Sequence, residues 1–83
     1  MMLKIFGSEQ CPDCVNCKRD LDKAGVPYLY MNISENLLFL KKFLKLRDEN
    51  ELFDEIRRGG KIGIPCILRE DGSVTFSWDE FLN

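Results

Sequence analysis

The sequence predicts a small α/β fold in which helices pack on a mixed sheet, and three observations carry that prediction. A short apolar run, a helix-spaced segment and an alternating segment follow one another near the start, and strand–helix–strand order favours a right-handed parallel crossover. Asp71-Gly72, near the other end, is a hairpin signal and adds an antiparallel pair. The third is size: 83 residues with 45% hydrophobic content suit one packed globule, so residues 1–83 are expected to form a single domain.

The elements follow in order. Residues 3–6 are mostly apolar and fit a short buried strand. Cys11 stands at an N-cap with Pro12 at the first helical position, where its missing N–H costs nothing. Cys14, Cys17, Leu21 and Ala24 then recur at three- and four-residue intervals, the apolar face of a helix that Gly25 caps and Val26-Pro27 ends. Residues 28–33 alternate and are rich in strand formers. Ser34 or Asn36 opens a second helix to about Arg47, with an apolar stripe of Leu37, Leu40, Phe43 and Leu44. On that helix Lys41, Lys42, Lys45 and Arg47 read as a solvated face. Asn50 can cap a further turn or two carrying Phe53 and Ile56, stopped by Gly59-Gly60. Residues 62–68 read as a third strand with Pro65 near its start, and 74–77 as its hairpin partner. Residues 78–83 leave room for about one helical turn, with Trp78 and Phe81 as apolar anchors on the sheet.

Composition removes several kinds of chemistry. With no His, Ser-His and Cys-His nucleophilic pairs are excluded, as is any zinc site that needs imidazole. Twelve basic against fourteen acidic residues, a net charge of −2, give no general attraction to nucleic acid or anionic lipid. The start is too short an apolar run for a signal-peptide core, Lys4 interrupts it, and no stretch is long enough to span a membrane. A cytoplasmic location is expected, where Cys is more often catalytic or metal-binding than stapling.

The four Cys therefore hold the interest. Cys11-Pro12-Asp13-Cys14 puts two thiols two residues apart at a helix start, close enough to form a disulfide. The first thiol lies at the positive end of the helix dipole, which favours thiolate, the species that attacks a disulfide. The second element is Ile64-Pro65, a Pro where a central strand has little use for one.

With the strand at 3–6, the CPxC dithiol, Gly25-Val26-Pro27-Tyr28 leading into the second strand and the Ile64-Pro65 pair, the chain resembles the glutaredoxin branch of the thioredoxin fold over nearly its whole length. The resemblance implies a thioredoxin-like, glutaredoxin-type three-layer fold, with a four-stranded mixed sheet and helices on both faces. It implies a cis Ile64-Pro65 bond facing the dithiol and an Ile64 backbone that pairs with a bound peptide or thiol substrate. It makes Cys11 the attacking thiol and Cys14 the resolving one, and gives Pro12, Ile64, Pro65 and Asp79 to substrate binding. The activity implied is thiol-disulfide exchange in cell redox homeostasis. The implied partners are protein disulfides or glutathionylated proteins, with glutathione or a reductase as electron donor. No tightly bound cofactor, nucleic acid or membrane is expected, and the protein is expected to be a monomer.

The departures from the family pattern are specific. The usual Lys three residues before the first Cys is Ser8, the usual Gly-Gly aligns with Phe76-Ser77, and the aromatic between the two Cys is Asp13. Glu9 and Asp13 place negative charge beside the thiols, which repels an anionic tripeptide. Arg57, Arg58 and Lys61 are the basic side chains that could replace the missing Lys, and the segment around 46–55 is longer than usual. Cys17 and Cys66 read first as small core residues. One alternative is an iron–sulfur or zinc site built from Cys11, Cys14, Cys17 and Cys66, against which stands strand alternation, since it turns Cys66 with Ile64 and Leu68 to the opposite face. Another is a redox-sensing or interaction domain without catalysis.

Overall fold

β1 (Leu3–Gly7) is the centre of the sheet, because its last three residues are buried and it has neighbours on both sides. The structure is a computed structural model and describes residues 2–82. β2 (Tyr28–Asn32) runs parallel to β1, pairing Leu3 with Tyr28 through to Gly7 with Asn32. β3 (Cys66–Leu68) is antiparallel to β1, with Phe6 opposite Cys66, and β4 (Val74–Thr75) returns antiparallel to β3. The order is β2-β1-β3-β4, a mixed sheet with one parallel pair.

α1 (Pro12–Lys23) makes the crossover between β1 and β2. Its start is as the sequence predicts, with Cys11 in extended backbone at the N-cap and Pro12 at the first helical position. Gly25 ends it at φ 71°, in the left-handed region that a side chain disfavours. Asn36, not Ser34, opens α2 (Leu37–Glu49), its Oδ1 accepting the N–H groups of Leu38 and Phe39. Asn50 repeats the device for Leu52, starting a 3-10 turn (Glu51–Phe53) that continues as α3 (Asp54–Arg58) and stops at Gly59-Gly60. A last 3-10 turn covers Asp79–Phe81; Asn83, part of the expected turn, lies outside the described residues.

Helices cover both faces, giving the three-layer thioredoxin-like arrangement. On one face α1 places Cys17 and Leu21 against Ile5 and Ile67, with Trp78, Phe81 and Leu82 packed alongside as anchors. On the other, α2 and the following turns place Phe43 and Phe53 against Phe6, Met31, Cys66 and Val74. Three rings beside Phe43 extend this core, with centroids 5.6 Å (Phe6 to Phe43), 5.9 Å (Phe43 to Phe53) and 5.0 Å (Phe53 to Phe76) apart.

Three expectations need correction. The apolar face of α2 is Phe39, Leu40, Phe43 and Leu46, whereas Leu37 is 82% exposed and Leu44 is also exposed. Leu37 is the first residue of the helix, and the sheet-facing row begins a turn later, so the true stripe is rotated from the one read by spacing. The third strand begins at Cys66, not 62, since Pro65 has no N–H to give to a ladder and Gly63 takes φ 97°. The fourth ends at Thr75 rather than 77, where the Thr75 hydroxyl accepts the Ser77 N–H and turns the chain away. Among the described residues no helix is long and apolar enough to cross a membrane.

Candidate active site

The site forms where the end of β1 meets the start of α1. Gly7 ends the strand, Ser8–Gln10 turn the chain, and the Cys11 N–H donates to the Ser8 carbonyl at 3.1 Å. This turn sets Cys11 at the N-cap, where its Sγ accepts the backbone N–H of Cys14 at 3.3 Å. This N–H reaches the sulfur from the first turn of a twelve-residue helix. Cys11 is partly exposed and Cys14 wholly buried behind it, both as free thiols. Burial pushes the Cys14 thiol up to about 12, helped by its hydrogen bond to Cys11 and opposed by the Ser8 backbone N–H.

The opposite wall is the segment 61–65. Ile64-Pro65 is a cis peptide bond, and the Cys11 thiol donates to the Ile64 carbonyl at 3.8 Å. Two features hold this wall. Gly63 lies on the Phe53 ring, where a Cβ would come within 2.8 Å of a ring carbon, so its φ and its lack of a side chain are both required. Arg47 reaches from α2, donating through Nε to the Ile62 carbonyl at 2.9 Å and through Nη2 to the Lys61 carbonyl at 2.7 Å. The expected solvated Arg47 is thus a clamp, half-buried, and Arg57 in turn donates to the Arg47 carbonyl and pairs with Asp54.

Between the walls lies an open cleft of about 720 Å³. Cys11, Asp13, Ile64 and Pro65 line it, together with Phe76, Trp78 and Lys61. Of the residues singled out in sequence, Pro12 and Asp79 are exposed and stand outside this lining; Trp78, beside Asp79, occupies the cleft edge. Trp78 is fixed there by its indole N–H, which donates to Asp20 on α1 at 2.9 Å. Ser8, where the resemblance would have a Lys, is buried and hydrogen-bonded to Ser34, and both border the cleft. Of the basic side chains considered as replacements, Lys61 lines the cleft, while Arg57 is engaged with Asp54.

Cys17 and Cys66 are wholly buried, on opposite faces of the sheet, Cys17 with Leu21 and Cys66 with Phe6 and Phe43. Burial pushes their thiols up to about 11 and about 12. Among the described residues no group of three or more His, Cys, Asp or Glu is arranged to hold a metal ion, and alternation along β3 is what turns Cys66 away. Three residues escape a reading by spacing: Arg47, Trp78 and Tyr30, whose buried hydroxyl lies beside Cys14. In the sequence Tyr30 is one of the alternating strand formers of 28–33, and alternation alone does not say what its side chain meets.

Residues 3–71 match the family model described as glutaredoxin. Among curated proteins the chain is 39% identical over 70 residues to a protein of Haemophilus influenzae described as uncharacterized, an overlap covering 84% of this chain and 81% of that one. No solved structure matches.

Proposed function

As the chain belongs to the glutaredoxin family, we propose that it is a thiol-disulfide oxidoreductase that works by dithiol exchange through Cys11 and Cys14. The observation that carries this reading is the placement of Cys11 Sγ: at a helix N-cap, receiving the Cys14 N–H, against the Ile64 carbonyl and facing an open cleft. Cys11 thiolate attacks one sulfur of a substrate disulfide. The S–S bond breaks, a mixed disulfide forms, and the departing substrate sulfur takes the electron pair and then a proton. Cys14 loses its proton and attacks Cys11 Sγ, releasing the second substrate thiol and leaving a Cys11–Cys14 disulfide. The substrate has gained two electrons, which two external thiols then restore to the protein.

Ile64 and Pro65 form the wall against which a substrate segment lies, and Pro12 holds the first turn of α1 in place. Protein disulfides and glutathionylated proteins are the proposed substrates in a cytoplasmic setting, with glutathione or a thioredoxin-type reductase as donor. Lys61 is the cleft's cationic contact for a carboxylate, and Asp13 opposes it.

An insulin-reduction assay and a glutathione mixed-disulfide assay test the reading. Cys11→Ser is expected to abolish both activities. Cys14→Ser is expected to stop protein disulfide reduction while trapping the mixed disulfide on Cys11. A Cys11→Ser protein as active as its parent removes the proposal.

A further inference from the structure

Among the described residues, Tyr30 carries the buried side-chain oxygen that lacks a hydrogen-bond partner. Its ring lies on the α1 side of β2, with Lys18 Nζ 4.2 Å from the ring centroid and bound to Glu9 at 2.6 Å. Its hydroxyl reaches over Gly7. A Cβ on Gly7 would stand 2.6 Å from Tyr30 Oη and 3.1 Å from Cys14 Sγ, so hydroxyl and thiol share the space that the missing side chain leaves open. A buried hydroxyl without a partner destabilises the fold, and phenylalanine would supply the same ring without that penalty.

The geometry points to Tyr30 as the hydrogen-bond donor that stabilises charge on the Cys14 sulfur when that sulfur attacks or leaves, an inference that rests on the dithiol reading above. In the resting state the Tyr30 hydroxyl is not in hydrogen-bond geometry with Cys14 Sγ, although both border the space over Gly7. Once Cys11 carries a substrate sulfur, Cys14 gives up its proton to the departed substrate thiolate. Negative charge then develops on a sulfur sealed from water. The Ser8 N–H faces that sulfur already, and a movement of the Tyr30 hydroxyl into the space over Gly7 adds a second donor. Cys14 then bonds to Cys11 and the substrate sulfur leaves with the electron pair. Tyr30 keeps its own proton throughout, since burial holds its hydroxyl well above the usual tyrosine range. The titratable groups facing this pair are Cys11 at the N-cap, Cys17 and Lys18 of α1 and Glu9 of the preceding turn; β3 contributes the apolar Ile67.

The test is Tyr30→Phe, read in two arms. In stopped-flow, attack by Cys11 should proceed at the parent rate. Resolution by Cys14 should slow about three- to tenfold at neutral pH, because the thiolate fraction falls faster than its nucleophilicity rises. In a Cys11→Ser background, the rising limb of the Cys14 alkylation profile between pH 7 and 9 should drop about three- to tenfold in rate, the size expected for losing one hydrogen bond to a charged group. The melting temperature should stay level or rise, which a merely structural role would not give. Fluorotyrosine at position 30, in a Tyr28→Phe background, is a stronger donor of the same shape and should raise the rate on that limb. Unchanged Cys14 profiles in both Tyr30 variants overturn the inference. The alkylation arm needs no turnover, so it decides the role of Tyr30 even if the parent lacks exchange activity.

Discussion

The two faces of the sheet are built from different materials. Under α1 lie two buried thiols, a buried hydroxyl, and an indole tied to a carboxylate. Under α2 lie stacked Phe rings and aliphatic side chains, with Cys66 the one buried thiol among them. The first face accepts polar groups at some expense in stability and keeps them beside Cys11. The second has little chemistry of its own, yet Phe53 carries Gly63 and so the cleft wall. Stability and reactivity are thus drawn from opposite sides of one thin sheet, and they meet at the cleft.

That contrast can be broken by mutation. Phe43→Ala, at a wholly buried ring on the α2 face, should lower stability by about 3–5 kcal/mol in chemical denaturation while leaving Cys11 alkylation in the folded protein near its parent rate. A large change in Cys11 reactivity would show that the faces are coupled more tightly than the packing implies. Gly7→Ala, on the α1 face, inserts a methyl group between Tyr30 and Cys14. It should destabilise by about 1–3 kcal/mol and also slow resolution by Cys14. A stability loss with normal resolution would make Gly7 a packing residue only.

Alkaline pH sharpens the comparison with a smaller effect. Burial raises Cys14 and Cys66 to about 12 and Cys17 to about 11 from an ordinary 9.0. For an acid raised in the folded state, the stabilisation is complete below the unfolded value and is lost as pH rises through the folded one. Stability should therefore fall from pH 9 upward, each thiol contributing at most about 1.4 kcal/mol per pH unit. Cys66→Ala should flatten this slope by the share of the α2 face and leave that of the α1 face. Urea midpoints across pH 8–10 read it, and an unchanged slope would mean that Cys66 titrates as freely folded as unfolded.

Much of the fold was legible because its signals are local. Pro12 after Cys11, Gly25 before Val26-Pro27, Asn36 and Asn50 at helix starts, and Asp71-Gly72 each act within a few residues, and each element they predict is present. The stripe of α2 was misjudged because spacing gives a helix its period, while the neighbouring sheet decides which row is buried. Arg47 looked solvated because nothing beside it in sequence reveals the carbonyls of Lys61 and Ile62.

The sequence by itself determined that two thiols stand at a helix start, one at the cap and one a turn inward, since caps and helical spacing are properties of a short stretch of chain. Only the tertiary structure decided what surrounds them. Ile64, 53 residues from Cys11, supplies the carbonyl beside its sulfur, and Trp78, 58 residues from Asp20, closes the cleft edge. Tyr30 meets Cys14 because β2 lies beside β1 and Gly7 leaves room between them. Such contacts depend on how the sheet is ordered and which face each helix covers, and no local pattern carries that information.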